Sequence, residues 1–270
     1  MVYKILIPFS GGINSTYSVW RWLTETDAKV IARYSYEQFE SKEYNSKEFE
    51  RVHEIVFFIK SQVRDFDFQM VNWPINYVKE RVPIRDGFEY GKYDVGAIRP
   101  RYIGYREWIK ETGADGISIG KSLENTNTQG YDLMRKYPES TGVVIYFAGS
   151  PELIPVPTGD DFDHDEISKT LTGRFEQYEK LPEELQSLVL KCDLSICDDD
   201  KCRDCAYQRT YEKFVSEGKT GRDFDLYCAK RGRYGPWRHE ADPKTYMYRG
   251  GTKVENWNRK HMYLDYLLYK

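Results

Sequence analysis

The segment from Val2 to Thr16 reads VYKILIPFSGGINST. Tyr3, Ile5 and Ile7 alternate with Val2, Lys4 and Leu6, and Pro8 ends the alternation, the pattern of a short buried strand feeding a turn. After Thr16 the apolar residues Tyr17, Trp20 and Leu23 recur at helical spacing. The unit is strand, Ser-Gly-Gly loop, helix. Two glycines let the backbone approach an anion closely. The free N–H groups of a helix start, with the hydroxyls of Ser10, Ser15 and Thr16, suit phosphate oxygens. No Gly-Lys-Ser/Thr closes the loop, and the glycines lack the G-x-G-x-x-G spacing of dinucleotide folds.

The same alternation of strands and helices continues outward. Lys29 to Tyr36 (KVIARYSY) and Asp67 to Asn72 read as strands, and Ser46 to Val63 as a helix with Phe49, Val52, Val56 and Ile59 on one face. Residues 73–98 are rich in Gly, Pro and charge and read as an insertion or lid. Arg101 to Thr112 reads as a helix, Gly116 to Gly120 and Val143 to Ala148 as strands, and residues 121–142 as a polar loop with one helical piece. Asp163 to Thr172 and Phe175 to Leu190 read as helices. This order predicts an α/β fold, a doubly wound parallel sheet. The expected division is a nucleotide domain over 1–190, then a cysteine module and a Tyr-rich, locally basic tail over 191–270.

The chain has 270 residues, enough for a full core. A net charge of -3 with 31% charged residues gives no whole-chain nucleic-acid signal, so a nucleic-acid partner is not favoured. The 16% aromatic content argues against disorder. No apolar run is long enough to span a bilayer, and the chain enters a strand at once, which predicts no signal peptide and a cytoplasmic protein without a membrane partner. A homodimer stays open.

Four of the five cysteines stand together as Cys192-x4-Cys197-x4-Cys202-x2-Cys205. Four thiolates with a C-x2-C knuckle suit a closed tetrahedral zinc site, which is structural because no coordination position is left for water or substrate. Lys201 and Arg203 flank the knuckle and could donate to sulfur. The alternatives are reduced thiols, a redox pair or an iron–sulfur cluster. Cys228 reads as an ordinary free cysteine. The acidic run Asp160, Asp161, Asp163, His164, Asp165 reads as a solvated loop and helix cap, and His53 as a helix-surface residue or a phosphate contact. Lys230 to Tyr234 and Trp237 to His239 mix basic and aromatic residues, as an exposed tail or a nucleic-acid surface would.

Ser10 to Thr16 resembles the Ser-Gly-Gly-x-Asp-Ser/Thr loop of the ATP pyrophosphatase (PP-loop) superfamily, with Asn14 at the position of the Asp. Within it the chain resembles the 7-cyano-7-deazaguanine synthases. The likeness is carried by Glu50-Arg51-Val52-His53-Glu54-Ile55, Arg99-Pro100-Arg101-Tyr102-Ile103, Gly113 to Gly120, and Cys202-Arg203-Asp204-Cys205-Ala206-Tyr207-Gln208-Arg209. It covers roughly residues 1–210. The chain departs from the family at Asn14, in wider cysteine spacing, in His164-Asp165-Glu166-Ile167 where the family has Lys-Ala-Glu-Ile, in an insertion over 36–48, and in a longer tail.

The resemblance implies an adenine nucleotide alpha hydrolase-like sheet with a C-terminal zinc-binding module, and a ligase that uses ATP, Mg2+ and Zn2+. The implied reaction converts 7-carboxy-7-deazaguanine and ammonia to 7-cyano-7-deazaguanine, on the route to queuosine. Ser10, Gly11, Gly12, Asn14, Ser15 and Thr16 would hold the phosphates. Arg101 and Lys121 would neutralise charge on substrate or phosphate, and Cys192, Cys197, Cys202 and Cys205 would hold zinc. Two other expectations stand beside this one: a PP-loop enzyme that modifies tRNA, and a nucleotide-binding protein in which Asn14 marks lost catalysis.

Overall fold

A computed structural model describes residues 2–36, 42–72, 105, 108–120, 143–156, 170–189, 203–231, 246–247 and 253–254. β1 (Lys4–Phe9), β2 (Lys29–Tyr36), β3 (Asp67–Asn72), β4 (Gly116–Ile119) and β5 (Val144–Phe147) form one sheet in the order β3-β2-β1-β4-β5. Every pairing in it is parallel. α1 (Ile13–Glu25) joins β1 to β2 and α2 (Lys42–Gln62) joins β2 to β3. A further helical segment covers residues 108–112.

The strands are apolar on both faces because both faces are covered. Ile5, Ile7, Val30 and Ala32 belong to a core with Ile13, Tyr17, Val19 and Trp22 of α1 and Val52, Ile55 and Ile59 of α2. Leu6, Ile31, Ile117, Ile145 and Phe147 belong to a second core with Trp108 and Ile109. The predicted doubly wound parallel sheet is therefore what the chain forms. α2 starts at Lys42, four residues before the sequence pattern begins, and runs through part of the segment that reads as an insertion.

The expected helix over 175–190 is two helices, α3 (Arg174–Glu179) and α4 (Glu183–Leu188). Pro182 caps α4 with ψ 148°, and a proline supplies no N–H to continue the preceding turn. The apolar positions Phe175, Tyr178, Leu181 and Leu185 are all buried, so helical spacing runs through the break.

α5 (Arg203–Ser216) and α6 (Gly221–Arg231) close on α3 through aromatic packing. Phe175 stacks on Tyr211 at 4.3 Å between centroids and meets Phe224 edge-on at 5.0 Å. Two long-range carboxylates reinforce this. Asp225 of α6 accepts from the N–H groups of Phe175 (3.1 Å) and Glu176 (2.8 Å), capping α3, whose own N-cap is Gly173. Glu179 of α3 accepts from the Gly221 N–H (2.7 Å) at the start of α6 and from the Tyr211 hydroxyl (3.0 Å). Each helix thus places an anion at the other's N-terminus, where the peptide dipoles favour it. Phe175, Tyr178, Tyr211 and Phe224 lie in the same core as the β1 and β2 residues. The expected division at residue 190 falls among residues 190–202, outside the described residues. β6 (Tyr246–Met247) and β7 (Lys253–Val254) pair antiparallel. No described helix is long and apolar enough to cross a membrane.

Candidate functional site

Winding reverses at β1. The connections through α1 and α2 carry the chain to β2 and β3 on one side, and β4 and β5 lie on the other. In such sheets the crevice outside the carboxyl ends of the two central strands is the ligand position. Here that crevice lies between the loop after β1 and the end of β4. β1 pairs with β2 from Lys4 to Phe9, but with β4 only at Ile5 and Leu6. Pro8, with no N–H, cannot extend a ladder, so the strand continues on one side while the other opens.

The loop is preshaped from within. Gly11 has φ +70°, a left-handed conformation that a side chain makes costly. The Ser15 hydroxyl accepts from the Ser10 N–H (3.1 Å) and donates to the Gly12 carbonyl (3.1 Å). The Ser10 hydroxyl stands 3.2 Å from Ser15 Oγ. Ser10 is exposed while Gly11, Ser15 and Thr16 are buried. Gly12 is the N-cap of α1, with no side-chain cap hydrogen bond and no acidic residue in the first turn. The first helical N–H groups have no carbonyl four residues back, so this end of α1 carries partial positive charge. Thr16 in the same turn is fully buried, and its hydroxyl oxygen has no hydrogen-bond partner among the described residues.

The opposite wall is Gly120. Asn14 Nδ2 donates to its carbonyl at 3.3 Å. A Cβ on Gly120 would stand 3.0 Å from Asn14 Cβ and 3.6 Å from the Ser15 nitrogen. Ser18 and Ser118 hydroxyls, both fully buried and 2.8 Å apart, fix α1 against β4 just below. The sequence identifies Gly120 only as the end of a strand. Its nearness to Asn14 joins residues 106 positions apart.

Six of the expected site residues thus meet at one place, Ser10, Gly11, Gly12, Asn14, Ser15 and Thr16. Arg101, Lys121, Cys192, Cys197 and Cys202 lie outside the described residues, as do Asp160, Asp161, Asp163, His164 and Asp165 and the basic stretch beyond Arg231. Cys205 is in the first turn of α5. His53 is exposed on α2, with Nδ1 2.8 Å from the Phe49 carbonyl and its ring edge-on to Phe68, which leaves it on the helix surface. Cys228 is a buried free cysteine. Two buried arginines brace the frame. Arg21 holds Glu25 and the carbonyls of Ala148, Ser150 and Pro151, and Arg33 holds Gln69 and Glu111.

No protein-family model matches the sequence, and no curated protein matches it significantly. Three solved structures give loose likenesses. A universal stress protein family member from Burkholderia pseudomallei has a TM-score of 0.31 at 9% identity, over 53% of this chain and 93% of that one. The U34-tRNA thiolase NcsA from Methanococcus maripaludis, solved with its 4Fe-4S cluster, has a TM-score of 0.37 at 13% identity, over 93% and 78%. NMN synthetase from Francisella tularensis has a TM-score of 0.41 at 9% identity, over 95% and 90%. Likenesses at this level do not bear on what this chain binds.

Proposed function

We propose that this chain is an ATP-dependent enzyme that holds the nucleotide's phosphates on the loop from Ser10 to Thr16, in the crevice between β1 and β4. One observation carries the reading: a helix start without a side-chain cap, with a left-handed glycine and a buried Thr16 hydroxyl that has no partner among the described residues, all at the point where winding reverses. ATP fits these groups, because phosphate oxygens satisfy donors that the fold leaves unmatched. The loop itself offers magnesium no carboxylate, since Asn14 is neutral. No group of three His, Cys, Asp or Glu stands together among the described residues. Magnesium would be held at least through the phosphates, and no step is assigned to it.

The resemblance in the loop, the Gly113–Gly120 strand and the C-x2-C ending supports a finer reading. A substrate carboxylate attacks the α-phosphorus, pyrophosphate leaves, and ammonia displaces AMP to give an amide. A second ATP adenylates the amide oxygen with release of pyrophosphate, and AMP leaves with that oxygen as two protons are lost, which yields a nitrile; the proposed acceptor is 7-carboxy-7-deazaguanine and the product 7-cyano-7-deazaguanine. The loop's task is to align the phosphates and stabilise charge on the departing pyrophosphate. Arg101 and Lys121 are assigned to the carboxylate or the α-phosphate. Cys192, Cys197, Cys202 and Cys205 are assigned to one structural zinc.

The test has two parts. ATP affinity is measured by calorimetry for the native chain and Gly11→Val. The branched side chain is strained at φ +70° and fills the loop, so binding should fall at least tenfold. Unchanged affinity in a folded variant removes the site. Incubation with ATP, magnesium, ammonium and 7-carboxy-7-deazaguanine should release pyrophosphate and yield the nitrile by mass. Pyrophosphate release without that product would keep the enzyme class and reject the substrate.

A further inference from the structure

We propose that Asn14 is a positioning residue. Its amide ties the loop to the end of β4 and so sets the width of the crevice at Gly120. Two independent observations carry this. Asn14 Nδ2 lies 3.3 Å from the Gly120 carbonyl oxygen, a contact only a donor can make. Gly120 has no side chain where a Cβ would press on Asn14 Cβ at 3.0 Å. Glycine gives the close approach and the amide bonds across it. The Ser18–Ser118 hydrogen bond fixes the wall beneath this contact.

The chemistry of the contact dictates the residue. A carboxylate at position 14 would set two oxygens against each other with no hydrogen between them, and the loops would part. A hard cation between the two oxygens would close them again. The neutral amide does the joining unaided, so the crevice of this chain is built in the absence of metal. The consequence for function rests on the nucleotide reading above, since the tie would hold Gly120 beside the bound phosphates.

The experiment follows amide hydrogen exchange around residues 116–122, without nucleotide, with and without magnesium. It compares the native chain with Asn14→Ala, Asn14→Asp and Gly120→Ala, each confirmed folded by circular dichroism. Loss of one net hydrogen bond of about 1 kcal/mol predicts roughly fivefold faster exchange in all three variants. Magnesium should slow exchange in Asn14→Asp alone and leave the native chain unchanged. Native-like exchange in Asn14→Ala and Gly120→Ala overturns the proposal. Native-like exchange in Asn14→Asp without magnesium also overturns it, because side-chain size and not hydrogen-bond donation would then matter. If Asn14→Asp does not fold, the other two variants decide. ATP titration of the same proteins is read separately: failure of the native chain to bind ATP rejects the nucleotide site, while the exchange data still decide the tie.

Discussion

Replacing Asp225 with alanine should be among the most damaging single changes in the chain, although the residue lies far from the phosphate loop in sequence. Its side chain is fully buried and accepts from the N–H groups of Phe175 and Glu176 at the start of α3. That helix begins at a glycine cap and has no side-chain cap of its own. Loss of an ordinary N-cap costs about 1 kcal/mol. Here a buried and a part-buried donor lose their partner together and the acceptor was a carboxylate, which raises the cost to about 3 kcal/mol. Gly173 makes room for the carboxylate, since a Cβ on it would overlap Asp225. For a chain of this size each kcal/mol shifts Tm by about 2–4 °C, so Asp225→Ala should melt about 6–12 °C lower. Asp225→Asn keeps an acceptor oxygen and should lose about half as much. Differential scanning calorimetry on the two variants gives both numbers. A drop below about 2 °C for the alanine variant would show that the carboxylate is not what holds α3, and that the aromatic packing suffices alone.

Three further outcomes are expected. Thr16→Val removes a buried hydroxyl that has no partner among the described residues, so the ligand-free protein should be as stable or more stable while ATP affinity falls; a destabilised variant would place a hydrogen bond at Thr16 in the free protein. Burial raises the phenol pKa of Tyr3, Tyr17 and Tyr211, with hydrogen bonds to Tyr146 and Glu179 adding to the effect at Tyr3 and Tyr211. Such groups stabilise the fold fully below the unfolded value of about 10 and progressively less as pH rises beyond it, so urea unfolding should show a loss above about pH 10 that Tyr211→Phe reduces. Protein purified under reducing conditions should contain about one zinc per chain, lost in Cys202→Ser with little change at the phosphate loop; metal analysis that finds none, or visible absorbance of an iron–sulfur cluster, rejects the zinc assignment.

The elements that the sequence placed best are those whose signal is local. β2 and β3 fall at Lys29–Tyr36 and Asp67–Asn72, as their runs of apolar and aromatic residues between charged turns predict. The loop was legible for the same reason, since strand, glycines, hydroxyls and helix are contiguous. The break at Pro182 was visible as a proline, yet Phe175, Tyr178, Leu181 and Leu185 keep helical spacing across it and mask the stop. What was not legible is what depends on distant partners. The caps that Asp225 and Glu179 provide span 50 and 42 residues. In the sequence each is one acidic residue among 43. Strand order is of the same kind, because nothing local tells β4 to add beside β1 on the side away from β2.

Asn14 shows how a departure from a motif changes meaning once its partner is known. Set against the loop pattern alone, an amide in place of a carboxylate reads as a loss: one charge fewer for organising a metal. Set against Gly120, it is the residue the geometry requires, since the atom facing it is a carbonyl oxygen and only a donor can bond there. Ser15 changes meaning in the same way. Its hydroxyl is spent inside the loop on Ser10 and Gly12, which makes it a brace. On the proposed reading, the groups that would meet a phosphate are the first backbone N–H groups of α1 and the hydroxyls of Ser10 and Thr16. Donors of this sort bind an anion by position rather than by charge. Recognition should therefore depend on the shape of the loop, which Gly11 and Ser15 set, and respond more to distortion at Gly11 than to the loss of any one hydroxyl.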